Sequence, residues 1–120
     1  MKVAVSAVGK TLDSAVDPRF GRAAGFVLVD TDTGQHEAID NTQNLHAMQG
    51  AGVQAAQTIA RHNAEYVITG HCGPKAFRAL EAAGIKVVTG VEGTVAEAVE
   101  KLQAGDAKPT HSADVEGHWA

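Results

Sequence analysis

Apolar residues along this chain recur with two periods, and the switches between them divide it into elements. Residues 2–8 carry small apolar side chains on both alternating sets, with Val3, Val5 and Ala7 on one and Ala4 and Val8 on the other. Such a strand suits the middle of a sheet that is covered on both faces. Residues 25–30 predict a second strand and residues 35–40 a third. The turn residues Asp32, Thr33 and Gly34 lie between them, so the two should form a hairpin. From Gly50 to His62 the period becomes helical, with Val53, Ala56, Ile59 and Ala60 on one face. Residues 65–69 read as a buried strand. Pro74 suits the first position of a helix whose apolar face is Phe77, Leu80 and Ala83, and Gly84 ends it. Residues 85–88 predict a fifth strand. Thr94 and Glu97 have the spacing of a capping box, opening a helix with Val95, Ala98, Val99 and Leu102 inward.

The resulting order is βββαβαβα. Residues 65–88 form a βαβ unit, which predicts parallel fourth and fifth strands. The expected class is α/β, a five-stranded mixed sheet flanked by helices. Residues 1–105 should make one domain. Residues 106–120 are different. Asp106, Asp114 and Glu116 outnumber Lys108, and few side chains there can join a core, so this stretch predicts a disordered or loosely docked tail.

Composition narrows the class. With 120 residues, the chain can bury a core without disulfides. Apolar residues make up 44% but aromatics only 4%, so the core must be built from Val, Ala, Ile and Leu. The net charge of −4 argues against nucleic acid as the main partner. Cys72 is the one cysteine, which fits a reducing, cytoplasmic setting. No run approaches the roughly 20 apolar residues of a membrane span.

Candidate chemistry lies in the loops expected beyond the carboxyl ends of the parallel strands, where open α/β sheets bind ligands. The first loop holds Arg19, Phe20, Gly21 and Arg22, which place fixed positive charge beside an apolar surface. The second holds Asn44, His46, Met48 and Gln49, followed by Gly50, Ala51 and Gly52 at a helix start. Small residues there allow an anion to approach backbone N–H groups, and equally allow close helix–sheet packing. The third is Gly70, His71, Cys72, Gly73 and Pro74, between a strand and a helix. Its amides and the helix dipole favour an anion or a thiolate, although a lone cysteine is also a common core residue. Cys72, His46 and His71 are the candidate metal contacts. His111 and His118 in the tail match no metal motif.

Other chemistries fit less well. The sequence has no GxGxxG, P-loop, HExxH or CxxC. A two-metal nuclease needs clustered carboxylates, and the first strand has none. A small redox enzyme using Cys72 would need a nearby base, for which adjacent His71 is a weak candidate.

Read together, these loops resemble a known family. The motifs are Asp17 with Arg19–Phe20–Gly21–Arg22–Ala23, then Gly50–Ala51–Gly52, then Gly73–Pro74–Lys75–Ala76–Phe77 running on to Val87. Together they are similar to the dinitrogenase iron–molybdenum cofactor biosynthesis family, which includes NifX-like carriers and the C-terminal domain of NifB-like proteins. The resemblance covers residues 2–105. It implies a ribonuclease H-like fold and non-covalent binding of a preformed anionic metal–sulfur cluster, rather than catalysis. Cys72 and the histidine-bearing loop are most similar to family members that carry a molybdenum–copper sulfide cluster. An iron–molybdenum–sulfur precursor is the alternative cargo. The resemblance also leaves room for protein partners in cluster delivery.

Overall fold

The structure, a computed structural model, describes residues 1–44 and 50–110. Five strands, β1 (Lys2–Ala7), β2 (Gly25–Asp30), β3 (His36–Asp40), β4 (Tyr66–Ile68) and β5 (Lys86–Val88), form one mixed sheet in the order β3-β2-β1-β4-β5. The helices are α1 (Ala51–Arg61), α2 (Pro74–Ala82) and α3 (Val95–Gln103), with a short 3₁₀ turn at Thr42–Asn44. This is the mixed, helix-flanked sheet of a ribonuclease H-like fold.

Central β1 pairs antiparallel with β2, from Lys2 opposite Asp30 to Ala7 opposite Gly25, and parallel with β4, from Val3 beside Tyr66 to Val5 beside Ile68. Its small side chains have a physical reason, because both faces are covered. Val3, Val5 and Ala7 pack under α3 with Val27, Ile68, Val88 and Val95. Ala4 lies on the other face, under α1 and α2, with Phe26, Ile59, Val67, Phe77 and Leu80. The hairpin of β2 and β3 is antiparallel, and β4 and β5 are parallel.

The helices follow the apolar pattern with one shift. In α1 the buried residues are Ala51, Gly52, Ala55, Ala56, Thr58 and Ile59, while Val53 and Ala60 are half-buried. The inward face is therefore turned from the expected one toward the small residues, which permit close packing against α2. In α2 the buried residues are Ala76, Phe77 and Leu80, and Ala83 is an exposed C-cap. The capping box of α3 is formed in both directions. Glu97 N donates to Thr94 Oγ1 at 3.2 Å, and Thr94 N donates to Glu97 Oε1 at 2.9 Å. No helix among the described residues is long and apolar enough to cross a membrane.

Candidate functional site

Parallel β1, β4 and β5 all point their carboxyl ends to one edge of the sheet. The chain leaving β1 does not turn tightly there. Residues 8–24 fold back as a strap along that edge, because extended stretches within them find backbone partners. Val8 N donates to Ala15 O at 3.1 Å, Asp17 N to Ser6 O at 2.8 Å, and Val16 N to Gly93 O at 2.8 Å. Val95 N donates to Ser14 O at 2.9 Å, which ties the strap to the start of α3.

Past Asp17 the strap meets the loop after β4. His71 N donates to Pro18 O at 2.7 Å, and Phe20 N donates to His71 O at 3.1 Å. Arg19 and His71 thus sit side by side in a one-residue parallel bridge. Extended backbone alternates its side chains. Phe20 turns inward, fully buried, with its ring centroid 5.3 Å from that of Phe26. Arg19 turns outward and is exposed, and its guanidinium makes no hydrogen bond or ion pair among the described residues. Gly70 is required by the close approach. A Cβ there would lie 2.7 Å from both Pro18 Cα and Pro18 O.

Buried polar groups hold the strap from below. Ser6 Oγ donates to Asp17 O at 2.7 Å and lies 2.8 Å from Thr69 Oγ1. Asp17 Oδ1 accepts from Arg19 N at 2.9 Å, which sets the turn that presents the arginine. Asn41, fully buried just after β3, donates through Nδ2 to Ala23 O at 2.9 Å and Gly21 O at 3.2 Å. The sequence reading missed Ser6, Thr69 and Asn41. An Asn that follows a strand and precedes a polar loop was the available signal for the last.

Two helix N-termini adjoin these loops in the chain. Gly73 caps α2 with Pro74 at its first position, and Gly50 caps α1 in the left-handed region at φ 79°. Neither cap uses a side chain, so the first amides of both helices are left to other partners. Nearby, the Asp40 carboxyl is held below its ordinary pKa, first by the Thr42 backbone N–H and Thr42 hydroxyl and to a lesser degree by the charge of Lys10.

The predicted site residues therefore divide. Arg19, Phe20, Gly70 and His71 are brought together through direct backbone bonds. Gly21 is buried and its carbonyl accepts from Asn41, and Arg22 follows half-buried. Gly50, Ala51 and Gly52 open α1, which packs on α2 behind Gly73 and Pro74. Phe20 and Cys72 belong to the same core cluster and have no exposed surface. Both support the loops from inside, and Cys72 Sγ lies 3.8 Å from Gly73 O. Asn44 closes the 3₁₀ turn. Its side chain, together with His46, Met48 and Gln49, and the tail residues His111 and His118, lie outside the described residues.

A cleft of about 470 Å³ opens beside the Pro18–His71 pairing, lined by Pro18, Gly70, His71, Gly90 and Gly93 but also by Asp13 and Glu92. Those carboxylates make it a poor seat for an anion. Among the described residues, no three His, Cys, Asp or Glu side chains are grouped to hold a metal ion.

The chain is similar to the apo form of the orange protein from Desulfovibrio gigas, with 46% identity, a TM-score of 0.94, and coverage of 95% of this chain and 96% of that one. It is similar to a Thermotoga protein described as a NifB candidate, with 35% identity, a TM-score of 0.80, and coverage of 95% and 98%. An uncharacterized protein of Methanocaldococcus jannaschii is 28% identical over 109 residues, 88% of this chain and 92% of its own. The profile of the family described as dinitrogenase iron-molybdenum cofactor matches residues 1–105, and the chain belongs to that family.

Proposed function

We propose that this chain binds an anionic metal–sulfur cluster non-covalently at the carboxyl edge of its sheet and carries it as cargo, without catalysing a reaction. The observation that supports this most is the Arg19–His71 bridge. It fixes an outward arginine next to a glycine-rich loop and a helix start, on a strap whose backbone is already hydrogen-bonded. A guanidinium gives charge-assisted hydrogen bonds to sulfide, and pinned backbone limits the ordering cost of binding. Arg22, the amides of Gly70 and Gly73, and the α1 start at Gly50–Gly52 complete the proposed donor set. His46, Met48, Gln49 and Asn44 belong to the same proposal as contacts from the loop before α1.

For the cargo we favour a molybdenum–copper sulfide cluster. The similarity to the orange protein supports this, as does the pairing of a single Cys72 with a histidine-bearing loop. The second reading is an iron–molybdenum–sulfur precursor, which the family's description supports. A redox enzyme built on Cys72 is disfavoured, because a thiol with no exposed surface meets no substrate. His71 remains a candidate contact to metal, and Cys72 becomes one only if the loop opens. The direct test is anaerobic titration of the protein with copper(I) and tetrathiomolybdate, followed by gel filtration. A saturable visible band that travels with the protein, at fixed metal stoichiometry, is expected. A colourless protein fraction would reject the molybdenum–copper cargo.

A further inference from the structure

The two edges of the sheet are guarded differently. Edge strand β3 exposes His36, Glu37 and Asp40, and charged side chains discourage pairing with another strand. Edge strand β5 is only Lys86–Val88, with Val87 and Val88 buried, and the Lys86 ammonium sits 5.6 Å from the ring of Tyr66 on neighbouring β4. Its backbone polarity is fixed by its pairing. Lys86 N donates to Glu65 O at 3.0 Å, and Val88 O accepts from Thr69 N at 3.0 Å, so both of these residues face β4. Successive residues of a strand present their backbone groups to opposite sides, so Val87 and Thr89 face the open edge.

One residue bonds to one backbone group of each. Thr110 N donates to Val87 O at 2.6 Å, Thr89 N donates to Thr110 Oγ1 at 3.3 Å, and the two threonine hydroxyl oxygens are 2.8 Å apart. Pro109, just before it, has no N–H to offer a further strand. The seating is narrow. Lys108 is exposed, Pro109 and Thr110 are half-buried, and a cleft of about 550 Å³ remains beside them, lined in part by Phe77, Glu81 and Ile85.

The groups held by Thr110 are self-complementary. Two antiparallel β5 strands centred on Val88 would make two reciprocal bonds, each from Thr89 N–H of one copy to Val87 C=O of the other. These are the same two groups that Thr110 now occupies. We propose that Lys108–Thr110 is a displaceable clip, and that the β5 edge beneath it is a strand-addition surface for a second copy of this chain.

The test uses the full chain with Thr110→Pro, which removes the amide donor and the hydroxyl, and Thr110→Val, which removes the hydroxyl alone. Amide hydrogen exchange and sedimentation velocity are read over a range of protein concentrations. In the parent, Thr89 and Thr110 amides should be protected relative to the amide of exposed Glu92. In dilute Thr110→Pro, Thr89 should exchange about fivefold faster or more. As concentration rises, the mass should move toward twice the monomer value, and Thr89 protection should return with it. Thr110→Val keeps the Thr110 N–H bond to Val87 O but removes the acceptor of Thr89 N–H, so its Thr89 amide should also exchange faster than in the parent while it dimerises less than Thr110→Pro. Unprotected Thr89 and Thr110 amides in the parent would overturn the clip. An opened variant that stays monomeric at every concentration, or dimerises with Thr89 still unprotected, would overturn the strand-addition surface.

Discussion

The His71 amide donates to the Pro18 carbonyl at 2.7 Å, and this bond joins the arginine-bearing strap to the loop between β4 and α2. Gly70 makes the approach sterically allowed, since any Cβ would press on Pro18 backbone that cannot rotate away. Gly70→Ala should therefore destabilise the fold by about 1–3 kcal/mol, as overpacking does. It should also weaken cluster binding by displacing Arg19. Urea unfolding and cluster titration of the same variant check the two effects together.

Arg19 differs from its neighbours in having an exposed guanidinium with no partner among the described residues. Arg19→Ala should leave urea stability within about 0.5 kcal/mol of the parent. It should weaken the affinity for an anionic cluster by about tenfold, the worth of one charge-assisted hydrogen bond. Arg19→Lys should recover part of the loss, since the charge returns without the planar fork. Equal affinity of all three proteins would remove Arg19 from the site.

Asn41 shapes the same loop from beneath by donating to the carbonyls of Gly21 and Ala23. Asn41→Ala leaves those acceptors without this donor and should cost about 1–3 kcal/mol. Asn41→Asp should be worse at neutral pH, because a carboxylate would face two carbonyl oxygens. Burial and those oxygens raise the acid's folded pKa, so the penalty is smallest below the ordinary aspartate pKa of about 3.9 and grows as pH rises above it. Thermal melts at pH 4 and pH 7 give the comparison.

The helix that supports the strap from the other side carries its own pH signature. Glu97 is held below its ordinary pKa of 4.5, first by the Thr94 backbone N–H and then by the Thr94 side chain. A depressed folded pKa stabilises the fold above the unfolded value, and the contribution disappears as pH falls through the folded one. Thr94→Ala should cost about 0.5–2 kcal/mol at pH 7 through loss of the cap. The difference from the parent should narrow on acidification below pH 4.5, where Glu97 protonates in both proteins. A gap that stays constant from pH 7 to pH 3 would show that Glu97 takes no part.

Most elements were legible because their signals are local. Near-continuous apolar runs marked β1 and β2, Pro74 marked the start of α2, and Thr94 with Glu97 marked α3. Asn63, just after α1, adopts the left-handed backbone at φ 61°. Non-local choices were not legible. The order β3-β2-β1-β4-β5 depends on which edges meet, and each strand would also satisfy other neighbours. The strap read as loop because Ala15, Val16 and Arg19 make single bridges, too short to leave a period. Cys72 and Phe20 read as candidate site residues, and both side chains are buried in the core cluster. Thr110, in a stretch whose composition suggested disorder or loose docking, bonds to β5 through one amide and one hydroxyl, a contact without any sequence pattern.

The central claim is the location of the cargo, and amide chemical-shift mapping tests it most directly. The protein would be titrated anaerobically with a copper–tetrathiomolybdate cluster and followed by two-dimensional NMR. Saturable shifts centred on Arg19, Gly70, His71, Gly73 and Gly50, with β3 and the far end of α3 unchanged, are the predicted result. Saturable binding that shifts other amides and leaves Arg19 and Gly70–Gly73 in place would contradict the account.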